Sequence, residues 1–201
     1  MIRIKICGLR RPEDIDMVNR YRPDLAGFII DFPKSFRSIS PDRVRELAGG
    51  LDRKHVHPVG VFVDADLEMA AGLLKDGTLA MAQLHGHESE EYIRQLKAET
   101  GKPVIKAFQI RDKEDIHRAL ASSADYILLD QGQGSGRSFD WGLVPPIGRP
   151  WLLAGGLNAG NIKEAADRLH PWGVDLSSAV ETDRVKDPRK VEQIIQIVRN
   201  I

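Results

Sequence analysis

The chain has 201 residues, enough for one large domain or two very small ones. Hydrophobic residues make up 42% and charged residues 29%, and Lys plus Arg balance Asp plus Glu at 29 each. A zero net charge provides no basic surface for nucleic acid or anionic lipid, so we expect neither partner. No apolar run approaches the roughly 20 residues of a membrane span, and one cysteine without an export signal indicates the cytoplasm.

Short apolar runs typical of buried strands alternate with segments of helical period along the whole chain. The predicted strands are residues 2–7, 25–30, 57–63, 79–84, 103–108, 126–130, 151–154 and 174–177. Between them apolar side chains recur at i, i+3, i+4 and i+7. Ser40-Pro41, Ser89 and Asp187-Pro188 are typical helix starts, because a capping side chain precedes the first turn.

Strict alternation of strand and helix predicts a parallel sheet, because parallel neighbours need crossover connections. Eight units without a composition break favour an α/β fold, a single (β/α)8 TIM barrel over residues 1–201, with an open doubly wound sheet as the alternative. Residues 131–150 are rich in Gly and Pro, so we expect the barrel to be shortened after its sixth strand. There we predict a glycine loop at 131–136, acting as a mobile lid, and at most one or two helical turns.

Barrel enzymes carry their sites at the C-terminal ends of the strands, and Cys7 ends the first one. A lone cysteine is often a small buried hydrophobe, and that alternative stays open. A thiolate there would be a competent general base. Alternation places Lys5 on the same face as Cys7, so we hypothesise that Lys5 points into the barrel and favours the thiolate.

Asp130 ends the sixth predicted strand. Such a carboxylate either caps the next loop or, in a partly desolvated pocket, acts as a general acid. Other polar residues at strand ends follow the second, fourth, seventh and eighth strands; they include Arg37, Gln83, His85 and Asn158.

Two loops of small residues follow the seventh and eighth strands, where barrels of this architecture usually bind phosphate. They contain Gly155-Gly156 and Ser177-Ser178. The alternative for the glycine pair alone is a tight turn. His85/His87 and His55/His57 have ligand-like spacing without a third ligand nearby, so we expect no metal. We interpret Lys106 as an interior lysine paired with an acid rather than a Schiff-base residue.

Taken in chain order, a set of short segments resembles the phosphoribosylanthranilate isomerase family of tryptophan biosynthesis. The segments are residues 5–9 (KICGL), 27–29 (GFI), 35–39 (SFRSI), 59–62 (VGVF), 83–86 (QLHG), 128–130 (LLD), 134–136 (GSG) before 139–141 (FDW), 153–157 (LAGGL) and 173–178 (GVDLSS). Each segment is weak alone, but together they span the chain in family order.

The resemblance implies a cofactor-free barrel that rearranges N-(5-phosphoribosyl)anthranilate to the 1-deoxyribulose 5-phosphate derivative. It implies that Asp130 protonates the furanose ring oxygen and that Cys7 removes the C2′ proton. Arg37 would pair with the anthranilate carboxylate, a charge-assisted contact suited to guanidinium.

The resemblance also implies the remaining contacts of a phosphosugar–anthranilate substrate. Those to the substrate body come from Gln83, His85 and Asp175. Those to the phosphate come from Gly155, Gly156, Asn158, Ser177, Ser178 and Ala179.

Three positions depart from the family pattern. Arg10 replaces a threonine and weakens the expected cap of the first helix. Phe36 replaces a proline, so the Arg37 loop is expected to be less rigid. Ala179 replaces a glycine, so the phosphate loop must be rearranged if that position needs a positive φ.

Two other functional classes stay open at this stage. One is a different phosphosugar barrel enzyme, such as the aminoaldose isomerase of histidine biosynthesis or indole-glycerol-phosphate synthase. The other is a binding barrel that has lost turnover. The sequence does not distinguish a monomer from a homodimer.

Overall fold

A computed structural model of the protein describes residues 1–130 and 141–201. The barrel strands within them are β1 (Arg3–Cys7), β2 (Leu25–Ile30), β3 (His57–Phe62), β4 (Met81–Leu84), β5 (Val104–Gln109), β6 (Tyr126–Asp130), β7 (Trp151–Ala154) and β8 (Gly173–Leu176). Each strand pairs in parallel with the next, and β1 pairs with both β2 and β8. This closure confirms the predicted (β/α)8 barrel and excludes the open doubly wound sheet.

Seven α-helices lie between or after these strands in the described part of the chain. They are α1 (Pro12–Tyr21), α2 (Pro41–Gly49), α3 (Leu67–Lys75), α4 (Glu90–Thr100), α5 (Lys113–Ala121), α6 (Ile162–Leu169) and α7 (Pro188–Arg199). The three predicted caps are confirmed: Ser40, Ser89 and Asp187 each accept a hydrogen bond from a backbone N–H of the first turn. Each cap thereby satisfies one of the helix's unpaired donors.

In the unit after β6, the residues that the structure describes agree with the predicted shortening. Among the described residues between β6 and β7, the helical structure is a single 3₁₀ turn, Trp141–Leu143. The predicted glycine lid at residues 131–136 lies outside the described residues. Among the described residues, no helix is both long enough and apolar enough to cross a membrane.

Two layers of apolar side chains fill the molecule. The larger one lies between the sheet and the helices, and it includes Ile4 and Ile6 of β1. The smaller one fills the barrel interior with Leu25, Val59, Met81, Ile105, Ala107, Leu128, Leu152 and Ala154. Because successive side chains of a strand face opposite sides, the outward Ile4 and Ile6 place Lys5 and Cys7 inside the barrel, as predicted.

Two small elements were not predicted. A two-residue strand, Ser38–Ile39, extends the sheet beside β2. A hairpin, hereafter the 181–186 hairpin, pairs Glu181–Thr182 with Val185–Lys186 after β8. Its turn residues, Asp183 and Arg184, both have positive φ, at 51° and 62°, as a type I′ turn requires.

Candidate active site

The C-terminal ends of all eight strands open on one mouth, because the strands are parallel. Cys7 ends β1 and Asp130 ends β6, so both reach this mouth from well-separated strands of the barrel. Cys7 is 7% exposed, and the side chain of Asp130 is 23% exposed. The mouth therefore combines a nearly buried thiol with a partly accessible carboxyl group.

Lys5 and Cys7 share the barrel interior beside Gly27 of β2. A Cβ atom added to Gly27 would lie 3.0 Å from Cys7 Sγ and 3.1 Å from Lys5 Nζ, so glycine makes room for both side chains. Lys5 is fully buried, and its Nζ donates to Asp175 Oδ2 at 2.8 Å. The prediction that Lys5 points into the barrel below Cys7 is confirmed.

The electrostatics of Cys7 differ from the sequence-based hypothesis in one respect. Burial raises the pKa of the Cys7 thiol and outweighs Lys5 and Lys186, which act in the opposite direction. Asp175 adds to the increase in the pKa of Cys7. Lys5 therefore favours the thiolate, as hypothesised, but the free protein holds Cys7 mainly as a thiol.

Arg37 forms a bidentate ion pair near the mouth. Its Nε and Nη2 donate to Glu181 Oε1 and Oε2 at 2.7 and 2.6 Å. Lys186 Nζ donates to the same Glu181 Oε1 at 2.7 Å and to the Ser177 carbonyl oxygen at 3.0 Å. The 181–186 hairpin thus binds the arginine for which a substrate contact was predicted.

Gly8 brings Arg37 against the end of β1. A Cβ at Gly8 would lie 2.4 Å from Arg37 Cδ, and the φ of Gly8 is +83°. The Arg37 guanidinium carbon lies 4.1 Å from the centre of the Phe36 ring. The loop expected to be loosened by Phe36 therefore gains a cation–π contact from that residue.

Gln83, His85 and Asp130 form a connected row. Gln83 Nε2 lies 3.0 Å from His85 Nδ1, and His85 Nε2 lies 3.4 Å from Asp130 Oδ2. If the Gln83 amide donates to Nδ1, the His85 proton sits on Nε2 and faces Asp130. His85 is thereby placed to orient Asp130.

Gln83 Oε1 and Asp175 Oδ1 are buried inside the barrel, and neither has a hydrogen-bond partner within the part of the chain that the structure describes. An unpaired buried polar atom costs roughly 1–3 kcal/mol, so each oxygen is suited to accept a hydrogen bond from a bound molecule. Both side chains are almost inaccessible, with Gln83 at 1% exposure and the Asp175 side chain at 8%.

The predicted phosphate residues lie on the two loops after β7 and β8. Gly155 and Gly156 have positive φ, and neither backbone N–H donates to an acceptor in residues 1–130 or 141–201. The Asn158 side chain is used inside its own loop, accepting from Gly160 N–H and donating to Gly156 O. The glycine pair thus forms a tight turn whose two N–H groups have no acceptor among the described residues.

The β8 loop accommodates its alanine without strain. Ala179 lies in a 3₁₀ turn, Ser178–Val180, and is not among the positive-φ residues. Ser177 Oγ donates to the Cys7 carbonyl oxygen at 3.1 Å, which ties this loop to the end of β1. The rearrangement expected from the alanine is therefore not required by its backbone.

Lys106 is a structural lysine, as predicted. Its Nζ donates to Glu88 Oε2 and to the Gly86 carbonyl oxygen, each at 2.7 Å. Glu88 also accepts from the Gly86 and Asp64 N–H groups, so the pair fixes the loop that follows His85.

Two further histidines each contact one carboxylate: His87 lies near Asp64 and His55 near Asp52. In the described ranges, no three His, Cys, Asp or Glu side chains form a group that could hold a metal ion.

Comparison with known proteins identifies the family. The family model for N-(5′-phosphoribosyl)anthranilate isomerase matches residues 4–197. The chain belongs to this family. The isomerase of Endomicrobium trichonymphae is 42% identical, over all of both chains.

Solved structures agree with this result. A phosphoribosylanthranilate isomerase in complex with reduced 1-(o-carboxyphenylamino)-1-deoxyribulose 5-phosphate is 34% identical, with a TM-score of 0.88 and full coverage of both chains. Engineered monomers of the dimeric Thermotoga maritima isomerase are 34% identical, with a TM-score of 0.87 and full coverage of both. The family resemblance and the enzyme class predicted from the sequence are confirmed.

Sequence reasoning missed Glu181 and Lys186 in this phosphoribosylanthranilate isomerase fold. Two-residue strands are too short to show a period, and the Asp183-Arg184 turn lacks the Asn-Gly signal of a hairpin. The usable signal was position, because Glu181 comes shortly after the Ser177–Ala179 loop at the mouth.

Proposed function

We propose that the chain, as one domain, isomerises N-(5-phosphoribosyl)anthranilate with Asp130 as general acid and Cys7 as general base. Membership of the family makes it an isomerase of tryptophan biosynthesis. The observation that carries the residue assignment is the position of the two groups. A thiol on β1 and a carboxyl on β6 end at one mouth, above charge pairs that can orient a polar substrate.

The proposed reaction begins at the ring oxygen of the ribose. The protonated Asp130 carboxyl gives its proton to that oxygen, the C1′–O bond breaks, and the nitrogen lone pair forms the C1′=N iminium. The Cys7 thiolate then takes the C2′ proton, and the electrons of the C–H bond neutralise the iminium to give an enolamine. The enolamine gains a proton at C1′ and loses its C2′ hydroxyl proton, which leaves the ketone.

Substrate contacts follow from the free groups of the site. Asp175 Oδ1, buried and without a partner among the described residues, is placed to accept a hydrogen bond from a ribose hydroxyl. The N–H groups of Gly155 and Gly156, which lack an acceptor in residues 1–130 and 141–201, would hold the phosphate together with the Ser177–Ala179 loop. Gln83 supplies a second free acceptor, and His85 supports Asp130.

Arg37 is proposed to bind the anthranilate carboxylate with the N–H groups that Glu181 leaves free. We further propose that the enzyme works in the cytoplasm, as a monomer or a homodimer. The dimeric relative supports the second possibility for this chain without deciding it.

The activity is tested by following the fluorescence of the anthranilate substrate with the purified chain. Continuous loss of the substrate signal, with the deoxyribulose phosphate identified as product, supports the proposal. Binding of the reduced product analogue without any turnover would contradict it and favour a barrel that has lost catalysis. Turnover only of a histidine-pathway aminoaldose would favour the other phosphosugar enzyme.

A further inference from the structure

The carboxylate of Glu181 lies between two cations, and all three side chains are largely buried. The side chains of Arg37, Glu181 and Lys186 are 11%, 7% and 1% exposed. Arg37 donates to both oxygens of Glu181, and Lys186 donates to one of them. A buried ion pair with three short contacts holds its members in one geometry, unlike an exposed pair.

The way in which Glu181 binds Arg37 leaves one side of the guanidinium available. Glu181 takes the edge formed by Nε and Nη2. The end formed by Nη1 and the second proton of Nη2 is a planar fork of the same kind, and it matches a second carboxylate. The close approach of Gly8 to Arg37 Cδ and the contact of the guanidinium with the Phe36 ring further limit the rotation of this side chain.

Charge counting shows what the cluster can accept. Arg37 and Lys186 contribute two positive charges and Glu181 one negative charge, so the cluster carries one positive charge. Lys186 does not reach further outward, because its Nζ also donates to the Ser177 carbonyl oxygen. The unbalanced charge is thus presented by the free fork of Arg37.

We propose that Glu181 is a specificity-determining positioning residue: it grips one edge of Arg37 so that the free fork recognises the carboxylate on the aromatic ring of the substrate. Lys186 balances the charge of Glu181 and thereby keeps Arg37 attractive to an anion. This inference rests on the proposed function, in which Arg37 binds that carboxylate.

The test compares two substrates in Glu181→Gln, which keeps the shape of the side chain and removes its charge. The substrates are N-(5-phosphoribosyl)anthranilate and the analogue made from aniline, which lacks the carboxylate. We expect kcat/KM for the first to fall about 10- to 100-fold, mainly through KM, because the orientation of a charged hydrogen bond is lost. For the analogue, kcat/KM should fall by less than about threefold.

The ratio of the two rates separates positioning from stability, because any unfolded fraction cancels in it. Equal losses for both substrates would overturn the proposal. Lys186→Met is the second variant, and it should shift the ratio in the same direction. Glu68→Gln, an exposed change on α3, is the control and should leave both rates unchanged.

Arg37→Ala makes the two levels of failure distinguishable. If Arg37→Ala lowers kcat/KM by the same factor for both substrates, the assignment of Arg37 in the proposed function fails. If Arg37→Ala changes the ratio but Glu181→Gln and Lys186→Met do not, Arg37 binds the carboxylate without help, and only the present inference fails.

Discussion

Two effects act on the pKa of the Cys7 thiol in opposite directions. Burial raises the pKa of its thiol, whereas the ammonium groups of Lys5 and Lys186 lower the pKa. Burial wins, so only a small fraction of the free enzyme carries the thiolate at neutral pH. A proposed base that is mostly protonated must show this in the pH dependence of its own reaction with an alkylating agent.

We therefore expect the rate of Cys7 carboxymethylation by iodoacetate to rise with pH through the neutral range and into the alkaline range. The sign follows from the required form: the thiolate is the reactive species, and the raised pKa of Cys7 moves that form to higher pH. This labelling rate isolates the thiol, whereas kcat/KM also requires the protonated carboxyl of Asp130. Rapid labelling at pH 7 that does not increase towards pH 9 would contradict this account of Cys7.

Lys5→Met tests the part of this balance that the sequence suggested. Without the ammonium group, the pKa of Cys7 should rise further, and labelling at any fixed pH should slow. The thermal midpoint is measured in parallel, because the change leaves Asp175 buried without its partner. A folded variant with an unchanged Cys7 pKa would show that Lys5 has no influence on the thiol.

Glycine is required at position 8 for its backbone conformation and for the space that Arg37 occupies. Gly77 shares only the first requirement, so a comparison of the two positions separates them. Gly8→Ala adds a Cβ 2.4 Å from Arg37 Cδ at a φ of +83°. Gly77→Ala imposes the same backbone strain at +79° but meets nothing within 4 Å. Each variant should lose about 1–2 kcal/mol of unfolding free energy, measured in urea.

The two glycine variants should differ in activity. Gly8→Ala displaces Arg37, so KM for the anthranilate substrate should rise at least about tenfold. Gly77→Ala should keep wild-type kinetics. Equal kinetics in the two variants would mean that the contact between Gly8 and Arg37 has no role in substrate binding.

At the scale of elements, alternation and capping determined most of what could be predicted. All eight strands and the three named helix starts lie where the residue pattern indicated, with strand ends differing by at most two residues. Ile4 and Ile6 faced the helices because a two-residue period leaves no other arrangement. The pairing of Lys5 with Asp175 joins residues 170 positions apart and has no signature in local sequence.

Helix α5 offers a test of how charge supports an element. Asp115 in its first turn accepts from the Arg111 N–H at 2.8 Å and contacts the Arg118 guanidinium. Hydrogen bonds from Arg111, opposed in part by burial, lower the pKa of Asp115 to about 2. A lowered pKa means that the ionised form stabilises the folded state above the unfolded pKa, and this contribution is lost as pH falls through the folded pKa.

Asp115→Asn should therefore cost about 1 kcal/mol at pH 7, after allowance for the exposed arginines. The difference from the wild type should shrink as pH falls from about 4 towards about 2. Asp167→Asn, an exposed change on α6, is the control and should cost less than about 0.5 kcal/mol. A difference that does not change with pH would contradict a role for the Asp115 charge.

The whole molecule depends on closure of the sheet, because β1 must pair with both β2 and β8 to build the mouth. Helix α7 covers this seam: it packs against α1, α6 and the Ser178–Val180 turn. Its buried side chains are Val191, Ile194, Ile195 and Val198. At about 1.5–3 kcal/mol each, they match the entire net stability of an ordinary domain.

Removal of residues 188–201 should consequently abolish the cooperative thermal transition, not merely lower its midpoint. Circular dichroism during heating measures this directly. Removal of Ile201 alone, which is 41% exposed, is the control and should change the midpoint by less than about 2 °C. A shortened chain that still melts cooperatively would show that the seam closes without α7.

The architecture of the whole molecule could be predicted from the sequence, but the polar contacts at the mouth could not, and each outcome has a physical cause. A sheet of eight alternating units can pair the backbone hydrogen-bonding groups of its two edge strands by closing. The barrel and its common mouth therefore followed from the pattern. Which polar groups meet at that mouth depends on loops and on the 181–186 hairpin, whose geometry is set by tertiary contacts. Arg37 was placed at the mouth from sequence, but its capture by Glu181 was not.

The central claim is that Cys7 and Asp130 transfer the protons of the isomerisation, and one paired measurement tests it most directly. Turnover of the anthranilate substrate and binding of the reduced product analogue are measured for Cys7→Ser and Asp130→Asn. Each variant should lose at least about 100-fold in kcat while binding the analogue within about threefold of the wild type. Full turnover in either variant, or loss of turnover fully explained by loss of binding, would contradict the assignment.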